Sequence, residues 1–145
     1  PRPGSHFETI PNQDLFISRN NARKVFKNIL DPVRKIRFYN NPLYLDFLRG
    51  EQEYQCTAWS NPTYTVMGWR EPCYLLGDRH TQDVNDLYED AIWEKYGVGN
   101  DPRCADCLMH CGFESASIFS AMKSPKAAIK LIKEGAVQNS GMGAG

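Results

Sequence analysis

No stretch of this 145-residue chain approaches the roughly 18 consecutive apolar residues that crossing a bilayer needs, so no transmembrane segment is expected. An excess of charge is missing too, because 17 Lys and Arg offset 17 Asp and Glu. Without a positive surplus the chain lacks the electrostatic footprint of a nucleic-acid binder, and nucleic acid is not expected among its partners. Residues 1–5 carry neither the charged start nor the apolar stretch of a secretory signal. A reducing, cytoplasmic setting is therefore expected, where closely spaced cysteines serve as metal ligands more often than as disulfides. Internal repeats are also lacking. The length suits a single hydrophobic core, so the chain reads as one domain, or as a piece of a longer protein.

What is present begins with residues 1–13, whose Pro, Gly, Ser, Asn and Thr among scattered apolar residues read as a connecting segment. From Ser18 or Asn20 a helix is predicted, with Val25, Phe26, Ile29 and Leu30 inward and Arg23, Lys24 and Lys27 outward, ended by Asp31-Pro32. A short strand is expected over residues 36–39. Asn41-Pro42 then opens a helix over 42–49, closed by Gly50, with Leu43, Leu45, Phe47 and Leu48 on its buried face. Residues 53–59 and 64–69 flank Asn61-Pro62 and alternate aromatic or β-branched side chains, which reads as a β-hairpin. Cys56 falls on its first arm, and Cys73 falls at the sharp exit of the second, bracketed by Gly68 and Pro72. A third helix is predicted over 81–96 from Val84, Leu87, Tyr88, Ile92 and Trp93, with Gly97 as its stop and a loop over 97–103. Residues 114–122 read as a further helix, and Ser124-Pro125 caps a last one over 126–134, ended by Gly135. The glycine-rich residues 139–145 are expected to be disordered. Trp59, Trp69 and Trp93 each sit in an apolar-periodic segment and read as core rather than as a substrate platform.

The five cysteines carry the chemistry. They are spaced Cys56-x11-Gly68-x4-Cys73 and Cys104-x2-Cys107-x3-Cys111. Iron–sulfur clusters are held by thiolates, commonly four for a [4Fe–4S] centre, some from one loop and others from elsewhere in the chain. The two residues between Cys104 and Cys107 let both sulfurs face one pocket while backbone N–H groups of the turn aim at the cluster. Gly112 permits close backbone approach. C-x2-C pairs also bind tetrahedral zinc, so a zinc-stapled structural or binding module without a redox role stands beside the iron–sulfur reading. His110, inside the triplet, can replace a thiolate in either case, although exposure or a bond to a carbonyl is the plainer expectation. His6 and His80 lie in turn-like surroundings and receive no role. In the last helix, Lys126, Lys130 and Lys133 flank Ala128, Ile129 and Ile132, which suits an interfacial amphipathic helix as well as one packing its apolar side on the domain.

A Cys…Gly-x4-Cys pair followed by C-x2-C resembles the SPASM or twitch domain, the auxiliary-cluster domain that follows the catalytic barrel in many radical S-adenosylmethionine (SAM) enzymes. Cys56, Gly68 and Cys73 match its first half; Cys104, Cys107 and Cys111 match its second. The further cysteines of a two-cluster SPASM domain are lacking, so one auxiliary cluster is implied. A longer likeness runs through Pro42-Leu-Tyr-Leu-Asp-Phe-Leu-Arg-Gly50, Tyr54-Gln-Cys-Thr-Ala-Trp-Ser-Asn-Pro62, Gly68-Trp-Arg-Glu-Pro-Cys-Tyr-Leu-Leu-Gly77, Trp93-Glu-Lys-Tyr-Gly97 and Cys104-Ala-Asp-Cys-Leu-Met-His-Cys-Gly-Phe-Glu114. These segments are similar to the C-terminal region of the adenosylhopene synthase family, the radical SAM proteins of hopanoid biosynthesis. That resemblance implies reductive cleavage of SAM to a 5′-deoxyadenosyl radical, which adds to the alkene of the triterpene diploptene and leaves an adenosylated hopanoid.

The resemblance also implies the partners: the chain's own N-terminal radical SAM barrel, a triterpene substrate, and peripheral contact with the inner membrane from the cytoplasmic side. The C-x3-C-x2-C motif that binds the SAM-cleaving cluster is absent, since Cys104, Cys107 and Cys111 read C-x2-C-x3-C. SAM and a second [4Fe–4S] cluster are thereby assigned to the barrel, and this chain alone is expected to be inactive, with no catalytic acid, base or nucleophile. The expected fold class is α+β, a small cysteine-rich domain with a β-hairpin and several short helices around one metal cluster. Its expected division is a connecting segment and helix over 1–40, a SPASM/twitch-like cluster-binding domain over 41–112, and C-terminal helices with a flexible tail over 113–145. The ligands of the auxiliary [4Fe–4S] cluster are sought among Cys56, Cys73, Cys104, Cys107 and Cys111. Two sets stay open: the twitch pattern favours Cys56, Cys73, Cys104 and Cys107, and the compact triplet favours Cys104, Cys107 and Cys111 with Cys73.

Overall fold

Ser18, Asn41 and Ser124 each stand just before a helix and lend a side-chain oxygen to a first-turn N–H, that of Asn21 at 3.4 Å, Tyr44 at 2.9 Å and Ala127 at 3.4 Å. These caps satisfy donors that a helix start otherwise leaves open. They begin α1 (Arg19–Leu30), α2 (Pro42–Arg49) and α4 (Pro125–Asn139); α3 (His110–Lys123) lies between the last two. The computed structural model describes residues 17–31, 38–89 and 93–139, with side chains of the last helix described as far as Glu134.

Helix α2 is the hub and packs against all three other helices. Phe47 is fully buried and stacks on Phe113 of α3 with ring centroids 4.4 Å apart. Tyr44, Phe47, Leu48 and Phe113 make the core, and Phe26, Tyr54, Cys56, Cys107 and Leu108 pack around it. The expected span 42–49 and its stop are as observed: Gly50 takes the left-handed conformation at φ 79°, and Glu51 N–H donates to the Asp46 carbonyl at 2.9 Å. The burial is wider than one face. Asp46 is buried as well, paired with Arg49 and with Lys130 of α4.

Helix α1 has the expected bounds but a different orientation. Arg19, Ala22 and Leu30 are its buried residues, Arg23 is half-buried, and Val25 and Ile29 are about half exposed at 46% and 51%. The guanidinium of Arg19 lies over the rings of Phe47 and Phe113, at 4.9 and 5.2 Å, so a long cationic side chain with an apolar stem takes the place expected for the β-branched residues. Of the strand expected over 36–39, only Phe38 and Tyr39 are among the described residues, and neither joins a ladder.

The sheet has three short antiparallel strands, β1 (Tyr64–Thr65), β2 (Gly68–Glu71) and β3 (Arg79–Thr81), in the order β1-β2-β3. Tyr64 pairs with Trp69, and Arg70 pairs with His80. This corrects two expectations. The hairpin turns at Val66-Met67 rather than at Asn61-Pro62, because Thr65 Oγ1 accepts the Met67 N–H and donates to the Gly68 carbonyl, closing a two-residue turn. Cys56 consequently lies on an unpaired stretch that ends in a 3₁₀ turn, Ala58–Ser60. The helix predicted over 81–96 is replaced by β3, a 3₁₀ helix Val84–Tyr88, and turns after Trp93, with residues 90–92 outside the described residues. Ladder bonding of residues 79–81 to β2 and the ion pair of Arg79 with the buried Glu71 outweigh the apolar periodicity there. Leu87 still fills the core at 2% exposure.

Helix α3 starts four residues before the expected 114, and α4 continues through Gly135 to Asn139. Trp59 stacks on Phe119, Trp69 meets Tyr64 edge-on, and the Trp93 indole N–H donates to the Leu87 carbonyl at 2.6 Å. All three tryptophans are half-buried packing residues. The fold is a small α+β domain, as the sequence suggests.

Candidate metal centre

The cysteines come from four places in the fold. Cys73 follows β2 where the chain turns, with Gly77 N–H donating to its carbonyl at 3.0 Å. Cys104 ends a 3₁₀ turn, Pro102–Cys104, and its carbonyl accepts the Cys107 N–H at 3.0 Å, which folds the C-x2-C segment tightly. Cys111 lies in the first turn of α3, and Cys56 lies across from it.

Three clamps bring these pieces together. The Arg103 guanidinium donates two bonds to Asp78, each 2.7 Å, and further bonds to Asp101, tying the turn after Cys73 to the approach to Cys104. These bonds hold the Asp78 and Asp101 carboxyls below the ordinary carboxylate range. Thr57 N–H and Oγ1 both donate to the Gly112 carbonyl, at 3.0 and 3.1 Å, and Ser60 and Ser115 hydroxyls continue the link, so Cys56 is sewn to the start of α3. A Cβ at Gly112 would stand 2.4 Å from the Cys56 sulfur, closer than any side chain allows. The third clamp is Arg19, whose backbone N–H donates to Asp106 at 2.7 Å and whose guanidinium donates to the Cys107 carbonyl at 2.5 Å. Tyr44 secures the next residue, donating to the Leu108 carbonyl at 2.8 Å. Burial, then the Glu114 carboxylate, raise the Tyr44 pKa, so this hydroxyl remains a donor.

Charge on the Cys107, Cys73 and Cys111 sulfurs is felt at Cys56, and charge on the Cys107 and Cys73 sulfurs is felt at both Cys111 and Cys104, so the five candidate cysteines are neighbours in the fold. No disulfide joins any of them. Burial, and then neighbouring thiols, push Cys56 up to about 12 and Cys111 up to about 11, and burial also raises Cys104. Against that, Ala58 N–H points at the Cys56 sulfur, Gly97 N–H at that of Cys104, and the N–H groups of Cys111 and Gly112 at that of Cys111. Backbone donors aimed at sulfur favour thiolate. A bound metal cation would favour the thiolate form at these sulfurs.

Cys56, Cys73 and Cys104 line a cavity of about 30 Å³ with Pro72, Trp93 and Gly97. Cys111 lines a second, larger groove of about 300 Å³ with Tyr74, Met109 and His110. Among the described residues no group of three or more His, Cys, Asp or Glu side chains is placed to hold a metal ion. Sulfurs around one zinc stand roughly 4 Å apart, given a Zn–S bond of about 2.3 Å. The chemistry of the donor set, five thiols with N–H donors to three of the sulfurs, is that of a thiolate-bound metal group. His110 is exposed at the start of α3, His80 lies on β3, and His6 is outside the described residues.

Arg19, Tyr44 and Asp78 escape a reading of the sequence because none lies in the cysteine motif, whereas Asp106 sits within Cys104-x2-Cys107 and Arg103 directly before it. Only Asp101-Pro-Arg-Cys104 carries a local signal, an Asp capping a proline-started turn. No curated protein and no solved structure matches the chain. A family model described as a domain of unknown function (DUF3463) matches residues 2–131, nearly the whole chain, and the chain belongs to that family.

Proposed function

We propose that this chain is the auxiliary iron–sulfur domain of a radical SAM enzyme that adds a 5′-deoxyadenosyl radical to the hopanoid diploptene. The observation that supports it is the proximity of Cys56 and Cys73 to Cys104, Cys107 and Cys111, drawn from four separate parts of the fold, with backbone N–H groups directed at sulfur. When bound, a [4Fe–4S] cluster supplies a one-electron couple and a staple between the loops. The chain's own residues hold it and keep water away: Phe47, Phe113, Leu76 and Trp93 form the apolar backing, and Arg19 and Arg103 fix the loops. The substrate rests on the resemblance to the adenosylhopene synthases, and a radical SAM enzyme of different substrate shares every observation made on the thiols.

Anaerobic purification followed by iron, sulfide and zinc analysis tests the reading. About four iron and four sulfide per chain are expected. Stoichiometric zinc without sulfide makes the chain a zinc-stapled module and ends the proposal. Cys73→Ala, Cys104→Ala and Cys107→Ala, common to both ligand sets, should abolish loading, whereas Cys56→Ala and Cys111→Ala separate the two ligand sets. Diploptene and SAM supplied to the protein that contains both barrel and this domain test the substrate.

A further inference from the structure

Resting on the iron–sulfur reading, we infer that Arg19 sets the reduction potential of the centre, acting as a buried cation behind the C-x2-C loop. Arg19 is 8% exposed, on the first turn of α1 and far in sequence from every cysteine. Its Nη1 donates to the Cys107 carbonyl at 2.5 Å, and its backbone N–H donates to Asp106 at 2.7 Å. A cysteine sulfur lies at most about 5 Å from its own carbonyl oxygen by covalent geometry. The guanidinium is thus within about 8 Å of the Cys107 sulfur however that side chain rotates.

The surroundings make this charge count. Rings of Phe47 and Phe113 lie over the guanidinium at 4.9 and 5.2 Å and help to keep it from water. Its carboxylate partner Glu53 is bound through the other terminal nitrogen at 3.0 Å, and that side chain is 65% exposed. Glu53 is therefore screened by solvent, whereas the guanidinium reaches the Cys107 backbone through a direct hydrogen bond, with the Asp106 carboxylate held by the Arg19 N–H as the nearer anion. Arg23, also paired with Glu53 and lying over Phe47 at 5.5 Å, adds a second cation behind the first.

A four-thiolate [4Fe–4S] centre gains one electron on reduction, its net charge going from −2 to −3 with no bond made or broken. A nearby fixed cation favours the more negative form and raises the potential. Arg19 touches neither substrate nor the reacting atoms, so it is a positioning residue with an electrostatic reach.

The test is an EPR-monitored titration of the anaerobically purified, cluster-loaded protein with dithionite and low-potential mediators. Arg19→Met should shift the midpoint to a more negative potential. Arg19→Lys, which keeps the charge but loses the forked geometry, should retain most of the wild-type value. Glu53→Gln, which removes the offsetting carboxylate at the surface, should shift it to a more positive potential. Equal shifts in Arg19→Lys and Arg19→Met would show a packing role only and overturn the inference. An unmoved midpoint in both Arg19→Met and Glu53→Gln overturns it as well. A wild-type protein without iron and sulfide instead removes the reading beneath it, a result distinct from a loaded protein with an unshifted midpoint.

Discussion

At Gly112 one hydrogen in place of a methyl decides whether two loops can meet. A methyl there would press on the Cys56 sulfur from far inside van der Waals contact, and that sulfur is held in place by the Thr57 bonds to the Gly112 carbonyl. Gly112→Ala should destabilise the domain by about 1–3 kcal/mol, the usual cost of overpacking a filled interior. Cys56→Ala should remove the clash, so Cys56→Ala/Gly112→Ala should unfold at a higher urea concentration than Gly112→Ala alone. Additive losses in the double variant would exclude the contact as the cause.

Among the elements, the three-stranded sheet is the smallest and the most dependent on one backbone position. Gly68 opens β2 at φ 118°, and a Cβ there would lie 2.5 Å from the Thr81 carbonyl of β3. Both strain and collision oppose any side chain, so Gly68→Ala should cost about 2 kcal/mol or more, combining an unfavourable dihedral with a steric shift. Thermal unfolding compared with Val66→Ala, at an exposed turn position, checks it; equal losses in the two would count against the geometry. Since β2 leads directly to Cys73, iron loading should fall with Gly68→Ala and hold with Val66→Ala.

Across the whole molecule, acid should loosen the Cys104 loop. Asp78 and Asp101 are held below their ordinary value of 3.8, chiefly by hydrogen bonds from Arg103. Glu53 is likewise held below 4.5, first by Arg23. Folded pKa values below the unfolded ones give stability that is present above the unfolded value and lost as pH falls through the folded one. Urea midpoints should therefore decline below about pH 4, and Asp78→Asn/Asp101→Asn should flatten that decline. The proposed metal centre would add a second global term. Thiols drawn from the Cys56 stretch, the β2 exit, the C-x2-C turn and α3 are cross-linked when loaded, so stripping iron with a chelator should lower Tm, and the fall should vanish in Cys107→Ala.

Local chemistry was readable in advance wherever neighbours in the chain decide the outcome. Ser18, Asn41 and Ser124 announce helix starts because a cap acts within three residues, and Gly50 announces a stop for the same reason. Tertiary structure alone decided the rest. Residues 79–81 became strand because β2 offered ladder partners, the inward face of α1 went to Arg19 because aromatic rings and a carbonyl awaited it, and Asp78 met Arg103 across 25 positions. Periodicity reports only that a segment has an apolar side. Which neighbour receives that side, and which distant charge is held against it, depends on energies that exist only after the chain has folded.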